Sequence, residues 1–174
     1  MRVFFLLCAA VALHITTANP VLHLKQEEPL SVQQNNTEWL SSQHLCPPGF
    51  RGLWGRCFTF FPDPMAWIDA EKHCWLLGAN LASIHDLKEY EFLIELMKEV
   101  GYFGPAWIGA SDAVRFGDWL WSDGSPYEPW VPNLPESWFR WRHCLAIHSD
   151  DFLRIDRHNC EEGLPFLCGT RPGC

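Results

Sequence analysis

Trp119-Leu120-Trp121-Ser122-Asp123-Gly124-Ser125 opens a stretch that runs on to His143 and Cys144, carrying Pro126, Pro129, Pro132 and Pro135 with Trp130, Trp138 and Trp141 among them. Aliphatic residues are few in it, and the composition of residues 122–143 is that of one long loop. A loop of this length inside a domain either carries function or is disordered, and its core-type aromatics favour an ordered loop. Short apolar runs flank it and read as strands. Trp107-Ile108-Gly109 and Trp119-Leu120-Trp121 precede the loop, while Cys144-Leu145-Ala146-Ile147, Phe152 to Ile155 and Pro165-Phe166-Leu167-Cys168 follow it.

Further upstream the apolar period changes to that of helices. Asp63-Pro64 supplies an N-cap with proline at the first helical position, after which Trp67, Ala70, Cys74 and Leu77 recur until Gly78. Asp86 and Glu89 have capping-box spacing, and Tyr90, Leu93, Ile94 and Met97 then form one apolar face that ends near Gly101. Two helices thus precede a strand-rich half, an α+β arrangement. Residues 46–168 show no repeat and no linker, so they form one domain, with residues 169–174 as a C-terminal tail.

The whole chain has 174 residues, 48% of them apolar, which excludes a wholly disordered or fibrous protein. A net charge of −8 without any Lys/Arg-rich run argues against nucleic acid as a partner. Ten Trp, twelve Phe and eight Cys point instead to a compact, oxidised domain with an aromatic core.

Met1-Arg2, the apolar run Val3 to Ile15 and the small residues Thr16-Thr17-Ala18 read as a secretory signal peptide over residues 1–18. The run is shorter than the roughly 20 apolar residues a membrane span needs, and no later segment supplies them. The expected product is secreted and extracellular, with no membrane span. Residues 19–45 are polar and read as a flexible extension, in which Asn35-Asn36-Thr37 makes Asn35 a glycosylation acceptor. Cleavage removes Cys8 and leaves an odd set of seven cysteines. Cys174, the last residue, either links two chains into a disulfide-bonded homodimer or is an idle or capped tail thiol, and both readings stay open.

Cys46-Pro47-Pro48-Gly49-Phe50, Cys57-Phe58, Ala70-Glu71-Lys72-His73-Cys74, Leu81-Ala82-Ser83-Ile84, Trp107-Ile108-Gly109, Trp121-Ser122-Asp123-Gly124-Ser125, Cys160 and Pro165-Phe166-Leu167-Cys168 occur in that order. Together they make the chain resemble a secreted C-type lectin-like domain of the kind found among fish lectins and type II antifreeze proteins. The resemblance implies a fold of two helices, small antiparallel sheets and a long structured loop, stapled by disulfides Cys46–Cys57, Cys74–Cys168 and Cys144–Cys160.

In the sugar-binding members of that family, a Glu-Pro-Asn type motif, a later Glu and an Asn-Asp pair hold a calcium ion in the loop. Counted from Cys144 and Cys160, those positions fall here on Leu134-Pro135-Glu136, Arg142 and Asp156-Arg157. Two carboxylate positions carry cations and one carries no side-chain oxygen, whereas calcium takes six to eight oxygen ligands. The expectation is therefore no calcium at the principal site and no other cofactor. Two readings of what replaces it are open. In one, Glu136 and Asp156 pair with Arg142 and Arg157 in a salt-bridged cluster. In the other, Arg140, Arg142 and Arg157 beside Trp138 and Trp141 present guanidinium forks and ring faces to a ligand. The candidate ligand-binding residues are accordingly Glu136, Trp138, Arg140, Trp141, Arg142, Asp156 and Arg157.

No Gly-x-Ser-x-Gly elbow, His-Glu-x-x-His, Cys-x-x-Cys or phosphate-cradling loop is present, so no enzyme is expected. His143, His148 and His158 with Asp150 or Asp151 match no standard zinc spacing and read as exposed strand and loop residues. The functional expectation is a recognition module for glycan or glycoprotein ligands, with a protein-binding module as alternative. Ice binding is the weaker alternative, because after residue 18 the only threonines are Thr37, Thr59 and Thr170.

Overall fold

The computed structural model describes residues 46–128, 141–150 and 153–171. The signal segment, the extension with Asn35, and Cys174 lie outside them. Elements follow in the order β1 (Arg51–Leu53), β2 (Arg56–Met65), α1 (Trp67–Leu76), β3 (Asn80–Leu81), α2 (Leu87–Glu99), β4 (Pro105–Ser111), β5 (Leu120–Trp121), β6 (Cys144–His148), β7 (Ile155–His158) and β8 (Leu164–Gly169). The strands run β1-β2-β8-β4-β6-β7, with β3 added on β8 and β5 on β4. Two helices and strands are as expected, but the sheet is mixed. β4 lies parallel to β8, with Trp107 opposite Phe166, and this pairing joins what the sequence presents as separate antiparallel pieces.

Helix α2 forms as its local signals predict. Asp86 accepts a hydrogen bond from the Glu89 N–H at 2.9 Å, while Glu89 Oε2 accepts from the His85 N–H at 2.8 Å, one residue earlier than a standard capping box. Gly101, at φ +74°, ends it in the left-handed conformation that glycine adopts without strain. Tyr90, Leu93, Ile94 and Met97 are buried in one core cluster together with Phe58, Ile108 and Leu167.

Helix α1 begins later than expected. Asp63 and Pro64 belong to β2, because proline holds its predecessor extended and Met65 still pairs with Leu164, after a register shift beyond Phe61. Ala66 is the N-cap and provides no side-chain bond, and the Trp67 N–H is satisfied by the Cys160 carbonyl at 2.9 Å. The strand expected over Phe152 to Ile155 also moves. Leu153 sits at φ +58°, a turn conformation, and β7 begins only at Ile155, opposite Ile147.

All three disulfides implied by the resemblance are formed. Cys74–Cys168 joins α1 to β8 across 94 residues, for which chain entropy alone gives roughly 4 to 5 kcal/mol. Cys144–Cys160 closes 16 residues and ties β6 to the turn after β7. Gly109 marks the closest approach within this half of the fold. Its N–H bonds the Ala82 carbonyl at 2.9 Å and its carbonyl accepts from the Ser122 N–H at 2.8 Å. A Cβ there would stand 2.5 Å from the Leu81 oxygen, so no larger residue fits.

Candidate functional site

Two buried carboxylates fasten the near limb of the long loop. Glu71, on the inward face of α1, accepts from Asn80 Nδ2 at 2.6 Å, the Leu81 N–H at 2.7 Å and Ser122 Oγ at 2.9 Å. Asp123 accepts from Ser83 Oγ at 2.6 Å and from the N–H and hydroxyl of Ser125 at 2.8 and 2.6 Å. Ser83 in turn accepts from Arg56 at 2.8 Å, and Arg56 pairs with Glu89 at 2.6 Å in the interior. Burial of Asp123 opposes its ionisation. The hydrogen bonds from Ser125 and Ser83 and the charge of Arg56 outweigh that effect and hold its carboxyl below the usual value. The Ser122-Asp123-Gly124-Ser125 segment is thus an anchor for the near limb of the loop.

The far limb rests on a different construction. Asp112, just past the end of β4, is completely buried. Its Oδ2 accepts from Arg157 Nη1 and from the Gly117 N–H, both at 2.9 Å, and its Oδ1 lies 2.9 Å from His143 Nδ1. The Asp112 N–H bonds the His143 carbonyl, so backbone and side chain hold the same partner. Arg157 comes from β7, and only 10% of its side chain is exposed. Its guanidinium carbon stands 4.6 Å from the ring centre of Trp119 and 5.1 Å from that of Phe116. Tyr127 packs on Trp121 at 5.2 Å and Trp119 at 6.3 Å. Burial pushes the Tyr127 phenol up to about 12 against the opposing pull of Arg157, so it stays a neutral hydrogen-bonding group.

The sequence-derived candidates separate in space. Trp141 stands at the surface with 59% exposure, and Arg142 beside it is half-buried. Arg157 forms the floor of the site, with its fork turned inward on Asp112 instead of outward to a ligand. Asp156 does not join it, because successive residues of a strand point to opposite faces. Its carboxylate lies on the other side of β7, 2.8 Å from Arg154 Nε and 3.4 Å from His148 Nε2. Glu136, Trp138 and Arg140 lie outside the described residues. Of the salt-bridged cluster expected among Glu136, Asp156, Arg142 and Arg157, Arg157 pairs instead with Asp112 and Asp156 with Arg154, and the part that involves Glu136 lies outside the described residues. The histidine reading changes as well. His148 is buried, and His158 is largely covered by Trp107, which meets it edge-on at 5.8 Å.

Asp112, Phe116, Trp119 and Tyr127 are site residues that sequence reasoning did not single out. Their one local signal is position, since Asp112, Phe116 and Trp119 lie between the end of β4 and the loop and Tyr127 lies near the start of the loop's sequence. The resulting arrangement is a hydrophobic floor around a neutralised charge pair, with an exposed indole at its edge. Among the described residues no group in it is arranged as a nucleophile with an adjacent base.

Comparison with known proteins gives a consistent picture. The family described as Lectin C-type domain matches residues 63–170. Ladderlectin of Oncorhynchus mykiss is 37% identical over 177 residues, which cover 95% of this chain and 90% of that protein. The galactose-specific lectin nattectin of Thalassophryne nattereri is 41% identical over 126 residues, covering 71% and 79%. A solved calcium-independent type II antifreeze protein matches with a TM-score of 0.62 and 30% identity, covering 72% of this chain and 94% of that one.

Proposed function

The chain belongs to the Lectin C-type domain family, and from that premise we propose that it is a secreted recognition module that binds carbohydrate or glycoconjugate ligands at its loop face without calcium. One observation carries this reading, the Arg157–Asp112 pair at 2.9 Å beneath the loop. A calcium ion needs an oxygen cage with net negative charge. Here both oxygens of the buried carboxylate already have partners, and a guanidinium lies against one of them. Arg142 and Leu134 occupy two further positions where the family's sugar-binding members supply oxygen donors. The charge pair holds the loop base in place of an ion, and recognition falls to the surface above it.

That surface suits a sugar. The exposed Trp141 ring offers a flat apolar face to the C–H side of a pyranose, and Arg142 next to it supplies donors for hydroxyls. The galactose specificity in the name of nattectin supports a glycan ligand. Cleavage after Ala18 delivers the protein outside the cell, where Cys174 joins two copies and raises avidity for a repeated ligand. Among the described residues no helix is long and apolar enough to cross a membrane, in keeping with a released product.

A glycan array probed with calcium and again with chelator tests the reading. Binding that is equal in both conditions, and reduced at least tenfold by Trp141→Ala, is expected. Loss of binding with chelator overturns the calcium-free mechanism, and absence of any glycan binding turns the assignment toward a protein ligand.

A further inference from the structure

The opposite face of the β6–β7 hairpin holds a second site, separate from the loop base. In the antiparallel register Cys144 stands opposite His158 and Ala146 opposite Asp156, and the His148 N–H bonds the Arg154 carbonyl at 3.1 Å. Residues 144, 146 and 148 therefore share one face with 154, 156 and 158. Ala146 lies in the middle and contributes only a methyl group. The two imidazoles close over it from either end, with ring centres 5.9 Å apart, and Asp156 stands across from it. One donor atom from each of His148, Asp156 and His158 falls within 4.8 Å of the other two.

What distinguishes this group from a chance cluster is its hydrogen bonding. The Nε2 atoms of both histidines are buried and have no hydrogen-bond partner, and the His148 side chain is only 7% exposed. Buried nitrogens left without a hydrogen-bond partner are unfavourable in a native interior. Their outer nitrogens face carboxylates. His158 Nδ1 is 2.9 Å from Glu162 Oε2, and His148 Nδ1 is 3.6 Å from Asp150 Oδ1. The carboxylate at His158 Nδ1 keeps the proton there and turns its Nε2 lone pair inward, which is how histidines that bind metals are oriented, while His148 has a carboxylate near each nitrogen, Asp150 at Nδ1 and Asp156 at 3.4 Å from Nε2.

We propose that His148, Asp156 and His158 form a zinc-binding site of two imidazoles and one carboxylate, with a fourth position open to water. Zn–N and Zn–O bonds of about 2.0–2.2 Å set tetrahedral donors roughly 3.3 Å apart. His148 Nε2 and Asp156 Oδ2, at 3.4 Å, already have that spacing. The widest separation in the group closes by side-chain rotation of no more than about 1.5 Å. Arg154, which now holds Asp156 from the rim, is about half exposed, and an ion pair of that kind yields easily. Oxygen-seeking calcium does not suit a donor set with two imidazoles. The ion would clamp the two strands next to the Cys144–Cys160 bridge, at the base of the hairpin whose other face carries Arg157.

The test uses the full oxidised chain and cobalt(II) as a visible probe. Cobalt is expected to bind in a one-to-one ratio with the absorption of a four-coordinate nitrogen and oxygen site, and zinc but not calcium should displace it. His158→Gln should abolish the spectrum. Glu162→Gln, a change at a half-exposed residue that only orients His158, should weaken binding about tenfold. Absence of a four-coordinate spectrum in the wild-type chain overturns the site. So does a spectrum that survives both His158→Gln and Asp156→Asn, since the metal would then sit on other residues.

Discussion

Asp156 and Arg157 are neighbours in sequence and belong to opposite worlds. Arg157 turns toward the loop, where its charge meets Asp112 and its plane lies among Phe116 and Trp119. Asp156 turns the other way, toward two imidazoles whose inward nitrogens have no hydrogen-bond partner. On one side of β7 the charges of Arg157 and Asp112 are paired, although the buried Arg157 Nε makes no hydrogen bond. The other is arranged but incomplete. The difference lies in pairing: a buried carboxylate neutralises Arg157 under the loop, whereas histidine nitrogens without hydrogen-bond partners remain on the far side of the same hairpin.

The comparison can be broken most directly at Asp112. Asp112→Ala leaves Arg157 as a buried cation without its counter-charge and His143 without its acceptor, and loss of about 3 to 5 kcal/mol of stability is expected. Replacing both partners by apolar residues, Asp112→Leu with Arg157→Met, should recover most of it, because the desolvation penalty then disappears from both sides. Chemical unfolding of the oxidised protein measures each value. A loss of under about 1 kcal/mol for Asp112→Ala would place the pair with ordinary surface contacts and remove the closed side of the comparison.

That pair was not legible in the sequence, and the reason is distance along the chain. Asp112 and Arg157 lie 45 residues apart and meet only when β4, β6 and β7 take their register. The same applies to His148 and His158, whose approach depends on a small residue at Ala146 between them. Features that depend on a few adjacent residues were read correctly. The Asp86 cap, the apolar face of α2 and its end at Gly101 are all local. The beginning of α1 was misplaced because Asp63-Pro64 carries a sound helix-start signal that the pairing of Met65 with Leu164 overrides. Of the ligand-binding candidates, Trp141 and Arg142 lie at the loop edge, Arg142 reached by counting back from Cys144 and Trp141 by its place beside it. The opposed directions of Asp156 and Arg157 needed only strand alternation, but β7 had been assigned three residues too early.

The open side predicts a much smaller effect. Asp156→Asn removes the ion pair with the half-exposed Arg154 and with it one proposed metal ligand, yet in metal-free protein it should change stability by no more than about 1 kcal/mol. With saturating zinc, wild type should gain stability over the variant through binding to the folded state alone. A destabilisation of the metal-free variant as large as that of Asp112→Ala would mean that both faces of β7 are structural, and the contrast drawn between them would fail.

Asp123 sharpens the contrast from a third position, since it is a buried carboxylate held mainly by hydroxyls instead of by a direct guanidinium contact. Burial works against its charge, but Ser125, Ser83 and Arg56 together keep its folded pKa below the ordinary value of 3.8. A depressed carboxyl pKa adds stability that is fully present above the unfolded value and disappears as pH falls through the folded one. The wild type should therefore lose stability as pH falls below the ordinary carboxyl value of 3.8, and Asp123→Asn, which cannot take up that proton, should show a shallower acid limb. Urea midpoints across this range decide the matter. Superimposable acid limbs would show that the Ser83 and Ser125 hydroxyls hold the neutral carboxyl as well as the charged one. The near limb of the loop would then be anchored by hydrogen bonding alone, with no share in the electrostatics that fasten the far limb.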